Sequence, residues 1–158
     1  CMGDNKGVQV LERSVYCDRF CFAQNCFDTG LLSPVEWNIY KKWFSWLVDE
    51  YMPRPSGFIY LQASPETCLR RIAQRDRSEE SSISPDYIAS LHERHEAWLI
   101  DGKHDERTID GVPVLVLGCD EDFEKNVARQ QELIEKVEVF MQQADQVHLE
   151  SRPLLVQP

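Results

Sequence analysis

The stretch Gly57-Phe58-Ile59-Tyr60-Leu61-Gln62-Ala63-Ser64-Pro65-Glu66-Thr67-Cys68-Leu69-Arg70-Arg71-Ile72-Ala73-Gln74-Arg75 decides the fold. The apolar run from Phe58 to Leu61 is too short for a buried helix and suits a strand covered on both faces. Serine and proline follow almost at once. A serine hydroxyl caps a helix, and proline is tolerated in the first turn, where the amide lacks a partner anyway. Val8-Gln9-Val10-Leu11 and Val112-Pro113-Val114-Leu115-Val116-Leu117 are runs of the same kind, and helical patterns separate all of them. Short apolar strands alternating with helices predict the α/β class with a parallel sheet. Pro113 suits the start of its strand and not the middle of a central one.

The Ser-Pro signal recurs at Ser33-Pro34 and Ser84-Pro85. Ser33 and Glu36 complete a capping box, and Ile39, Tyr40, Trp43, Phe44, Leu47, Val48 and Tyr51 follow at helical spacing until Met52-Pro53. Such a stripe is either core or core that extends into a dimer interface. A further helix is predicted from Ser84 to about Ile100, packing through Tyr87, Ile88, Leu91, Trp98 and Leu99, and a last one from near Asp122 to about Gln143. Asp101 to Gly111 is polar, contains Gly102 and Gly111, and reads as a loop. Residues 1–145 are expected to belong to one domain, and 146–158, where no period is visible, to a loose tail.

With 158 residues, 42% hydrophobic and 28% charged, the composition suits one globular unit. No apolar run approaches the roughly 18 residues of a membrane helix, and Cys1 to Gly7 carry no signal-peptide core. A soluble intracellular protein is therefore expected, mitochondrial or cytoplasmic. The chain starts at cysteine with a strand-like run as early as Val8 and is read as a fragment, a processed mature chain being the alternative. A net charge of -10 opposes binding to nucleic-acid phosphates. The six cysteines, Cys1, Cys17, Cys21, Cys26, Cys68 and Cys119, include no C-x-x-C pair, so they are read as reduced thiols without a metal.

Ligands in open α/β sheets bind beyond the carboxyl ends of the strands, which draws attention to Glu12-Arg13-Ser14 after Val8 to Leu11. Glu12 is suited to magnesium or a proton, and Arg13 to a phosphate or a carboxylate. Taken alone, a strand-end Glu-Arg is more often a surface ion pair. Arg71 and Arg75 share a helix face and Arg77 follows, a set able to neutralise a polyphosphate, with Glu79-Glu80-Ser81-Ser82 as a mobile flap behind it. A solvated charged helix is the competing reading. His92-Glu93-Arg94-His95 is similar to the zinc-protease string but has the wrong spacing, and reads as a polar helix face.

The runs ERSVYCDRFCFAQN, GFIYLQASPETCLRRIAQRDRSEE, HERHEAWL and VPVLVLGCDEDF stand in the order and approximate spacing of the deoxynucleoside kinases of the deoxyguanosine/deoxycytidine kinase type, over most of residues 8 to 125. The chain resembles the C-terminal part of such an enzyme. The resemblance implies a P-loop kinase-like parallel sheet with flanking helices and the N-terminal strands missing. It implies transfer of the γ-phosphoryl group of ATP, with magnesium, to the 5'-hydroxyl of a deoxynucleoside, and a homodimer in the complete protein. Glu12 then matches the strand-end glutamate near magnesium, and Arg13 the arginine that contacts phosphoryl oxygens and the catalytic base. Asp18 and Phe22 match the nucleobase pocket, and Glu80 the lid glutamate on the sugar 3'-hydroxyl. Arg71, Arg75 and Arg77 look like the arginine lid over ATP, with Asp122 and Phe123 beside its adenine. Asp18 implies deoxyguanosine, deoxyadenosine or deoxycytidine as substrate rather than thymidine. Cys17 stands where serine is common, and Gly118 where an acid is frequent.

No G-x-x-x-x-G-K-[ST] string occurs in the sequence, although phosphoryl transfer on this fold needs one. The family's phosphate-loop strand lies between the strands matching Val8–Leu11 and Phe58–Leu61, so the sheet is expected to have a gap. The alternative function is that of a non-catalytic relative, such as the kinase-like accessory subunit of respiratory NADH dehydrogenase. A third reading is a dimerisation module built on the Trp37 to Tyr51 helix.

Overall fold

A computed structural model of the chain describes residues 8–80 and 82–150, with the backbone alone for 145–150. Cys1 to Gly7, Ser81 of the expected flap and residues 151–158 of the expected tail lie outside the described residues. Strand β1 (Phe58–Gln62) and strand β2 (Val114–Gly118) pair in parallel, Phe58 opposite Val114 and Gln62 opposite Gly118. Pro113 sits just before β2, where it loses no ladder bond, and its carbonyl accepts from Phe58 N at 2.9 Å. The fold is α/β, a parallel sheet with flanking helices.

The strand expected at Val8–Leu11 does not form. Those residues have no regular secondary structure and are exposed, Val10 at 68% and Leu11 at 64%. An isolated run cannot satisfy its backbone without a neighbouring strand, and the edge of β1 away from β2 has no strand partner among the described residues. That open edge is where the family's phosphate-loop strand was expected. Ile59, Leu61 and Val116 are correspondingly exposed.

The helices begin where Ser-Pro places them. Helix α1 (Val15–Cys17), a π-helical turn (Asp18–Ala23) and helix α2 (Gln24–Asp28) form one continuous helical segment. Helix α3 (Pro34–Glu50) opens with the capping box, Ser33 N donating to Glu36 Oε2 at 2.8 Å and Glu36 N to Ser33 Oγ at 3.3 Å. Ser64 caps α4 (Pro65–Arg75), which ends with Asp76 in the left-handed conformation at φ 48°, and Ser84 caps α5 (Pro85–Leu99). The last helix, α6, runs Val127–Glu150. It starts later than the expected Asp122, because Asp122 caps a turn through Glu124 N and Asn126 caps the helix through Arg129 N.

The core joins the helical segment, α3 and α5 over one end of the sheet. Tyr16 and Phe20 meet Phe44 edge-on at 5.8 and 6.1 Å, and Trp98 closes on Phe20 and Phe58 at 5.4 and 5.2 Å. Edge-to-face pairs at these separations add about 0.5–1.5 kcal/mol each beyond the area they bury. Only Trp37, Phe44 and Val48 of α3 are buried, so the stripe is not core alone: Ile39, Trp43 and Tyr51 are more than half exposed. On α5, Trp98 is buried while Tyr87 faces outward. The 101–111 loop carries buried Ile109 and is tied to the helical segment by Arg19, which pairs with Asp105 at 3.2 Å and stacks on Trp37.

Candidate active site

The residues singled out from sequence fall into a helical cluster and a lid cluster. Glu12 is exposed and makes no ion pair among the described residues. Magnesium is bound through one or two carboxylates with its remaining positions filled by water and phosphates, so a free carboxylate of this kind fits it. Arg13 adopts φ 60°, a left-handed backbone rare outside glycine, and its guanidinium lies 5.0 Å from the Phe22 ring centroid. Ser14 then caps α1 by accepting from Cys17 N.

Asp18 and Phe22 lie on one segment, four residues apart, but they engage different neighbours. The Asp18 carboxylate accepts from Tyr40 Oη of α3 at 2.6 Å, at the mouth of a groove of about 410 Å³ lined by Ile39, Trp43 and Leu47. Burial pushes the Tyr40 hydroxyl above the phenol range, and the bond to Asp18 adds to it. Phe22 is held between Arg13 and His95 of α5, whose ring meets it edge-on at 6.4 Å.

The second cluster is held at its base and exposed to solvent at its tip. Arg71 donates to the carbonyls of Cys119 and Glu121 at 2.6 and 3.2 Å and lies over Phe123 at 5.6 Å. Asp120 accepts from Ser64 N and Oγ at 2.8 and 2.7 Å, which draws the end of β2 to the start of α4 and holds its carboxyl at about 2. The left-handed Asp76 turns the chain out of α4. Beyond it Glu80 takes Arg75 at 3.1 Å and Arg77 at 3.8 Å, with both arginines more than half exposed.

A family model described as Deoxynucleoside kinase matches residues 1–142. The chain belongs to the deoxynucleoside kinase family. It is 38% identical over 138 residues to deoxycytidine kinase 2 of Gallus gallus and to the mitochondrial deoxyguanosine kinase of Xenopus laevis, covering 85% of this chain and 52% of each relative. It is 40% identical over 140 residues to the deoxycytidine kinase of Homo sapiens, covering 86% of this chain and 53% of that one. The chain thus spans about half the length of the curated relatives it matches. No described helix is long and apolar enough to cross a membrane.

Several residues of this deoxynucleoside kinase chain had no signal in the sequence. His95 does not lie on a merely polar face: it stacks on Tyr60 at 5.8 Å, and its Nε2 lies 3.7 Å from Cys17 Sγ. Hydrogen bonding from Cys21 and pairing with His95 hold the Cys17 thiol well below the usual range against its burial, while the buried Cys21 is pushed up. Glu96 accepts from Tyr60 Oη at 2.8 Å and from Gln62 Nε2 at 2.9 Å, at the carboxyl end of β1. His95 is 78 residues from Cys17 and Glu96 is 36 from Tyr60, and no spacing rule reaches across such separations.

Proposed function

We propose that the full-length protein transfers the γ-phosphoryl group of ATP to the 5'-hydroxyl of a deoxynucleoside, with deoxyguanosine, deoxyadenosine or deoxycytidine as its substrate. The observation that carries this reading is the grouping of an aromatic face, Phe22, under a cation, Arg13, on the segment that presents the Asp18 carboxylate. A carboxylate accepts hydrogen bonds from exocyclic amino groups of a base, and an aromatic ring packs on any base plane. Asp18 therefore reads the base edge and Phe22 its face, while Arg13 contacts phosphoryl oxygens.

The lid residues divide the remaining work. Glu80 binds the sugar 3'-hydroxyl in the closed state, which frees Arg75 and Arg77 to turn onto the nonbridging oxygens of the transferring group and exclude water. Arg71, Asp122 and Phe123 border the adenine of ATP. Glu12 would hold magnesium together with the nucleotide phosphates, and the ion would neutralise charge that builds on those oxygens. The phosphate cradle and the general base are outside the roles assigned to this chain. Arg13 and the Arg71, Arg75, Arg77 set favour the enzyme over a non-catalytic accessory subunit, which would have no use for a triphosphate lid.

An enzyme that draws on ATP works inside the cell, in the cytoplasm or the mitochondrion. The exposed face of α3, with Ile39 and Trp43, supports a homodimer. Full-length protein carrying Ile39→Asp and Leu47→Asp should sediment as a monomer, and a retained dimer would remove that interface. The nucleobase assignment is tested by Asp18→Ala in the full-length protein, assayed against the three nucleosides in competition. The ranking should change; an unchanged ranking sinks the pocket.

A further inference from the structure

Behind the Phe22 ring, three soft donors from distant parts of the chain converge. Cys17 Sγ lies 3.7 Å from His95 Nε2, and with Cys21 Sγ all three ligand atoms lie within 4.8 Å of one another. Tetrahedral zinc, with bonds of about 2.3 Å to sulfur and 2.0 Å to nitrogen, sets its ligand atoms roughly 3.5–3.8 Å apart. The Cys17 to His95 edge already has that length, and the others need contraction by at most about 1.3 Å.

The surroundings are those of a prepared site. His95 Nδ1 donates to the Leu91 carbonyl at 2.7 Å, so Nε2 is the ring nitrogen that faces Cys17. Metal-binding histidines make this outer bond, which fixes tautomer and ring direction. The ring is further clamped by stacking on Tyr60, 9° from parallel, and by the edge contact with Phe22. Cys17 precedes the π-helical turn and Cys21 lies within it, a widened turn that packs against α5. Cys21 is fully buried and Cys17 is 9% exposed, so the thiols are largely shielded from solvent.

We propose that Cys17, Cys21 and His95 bind one zinc ion, with water in the fourth position, at a site separate from magnesium and ATP. Two thiolates and an imidazole select zinc over magnesium, which prefers oxygen. Binding takes both cysteines as thiolates and His95 as a neutral imidazole, so any protons these three groups hold pass to solvent as two Zn–S bonds and one Zn–N bond form. The site shares no residue with the substrate roles proposed above, so it stands or falls apart from them.

The test uses full-length protein, dialysed against buffered micromolar zinc and then metal-free buffer, with metal counted by mass spectrometry. Wild type should retain one more zinc per chain than the Cys17→Ser/Cys21→Ala variant, and cobalt should give a thiolate charge-transfer band that His95→Gln loses. Equal zinc in wild type and variant would overturn the site. A measurement on wild type alone guards against misfolded variants: peptide mapping after alkylation should find Cys17 and Cys21 protected with zinc and modified after chelation. Modification of both thiols at equal rates with and without zinc would also overturn it.

Discussion

The Arg71 guanidinium lies over the Phe123 ring while it donates to the Cys119 and Glu121 carbonyls, so one side chain of α4 holds the loop that follows β2. Loss of that side chain frees the loop without touching the helical cluster. In the full-length protein, Arg71→Ala should raise KM for ATP by roughly 5-fold, about 1 kcal/mol for a partly exposed cation–π contact. KM for the nucleoside should stay within a factor of two or so. Steady-state kinetics with each substrate varied in turn checks this, and a larger effect on the nucleoside would contradict it.

Glu80 holds Arg75 and Arg77 in the same state in which those arginines face solvent. Their exposure means the ion pairs themselves contribute little to stability, and the lid is free to exchange partners. Arg75→Ala should lower kcat by roughly 100-fold or more with every nucleoside, as expected when a donor that reaches developing charge is removed. Glu80→Gln should instead act mainly on nucleoside KM. Thermal midpoints of both variants should match wild type within a few degrees.

Asp120 links stability to acid. Its carboxyl is depressed to about 2, chiefly by the Ser64 hydroxyl and amide, with Thr67 and Arg71 assisting. A folded value below the unfolded one means the contribution is complete above about pH 4 and disappears as pH falls through about 2. The midpoint difference between wild type and Asp120→Asn should therefore shrink over that window. Thermal melts of the full-length protein at stepped pH measure it; a difference that stays constant would rule the linkage out.

The 158-residue chain on its own should aggregate or melt without cooperativity. Val10, Leu11, Ile59, Leu61 and Val116 are exposed, and β1 offers an unpaired edge of backbone donors and acceptors. Size-exclusion chromatography and a thermal scan decide the point, a soluble monomer with one sharp transition being the contrary result.

Sequence alone placed Ser33, Ser64 and Ser84 at helix starts correctly because a cap is a local event, complete within one turn. It misjudged Val8–Leu11 because a strand depends on a neighbour that no local pattern supplies. Asp122 misled for a related reason: its carboxylate serves a turn as readily as a helix. The lid arginines and Glu80 were visible as a charge cluster, and the structure joins them directly. His95 and Cys17, 78 residues apart, meet only through packing of α5 on the π-helical turn, and neither residue announces the other.

The open side of β1 is a ready-made template. Its amides and carbonyls keep their parallel register with β2 already set, from Phe58 to Gln62. A separate polypeptide bringing a strand and a glycine-rich turn would find a template that fixes its direction and its depth. This sheet therefore ends on an edge that an added parallel strand can extend.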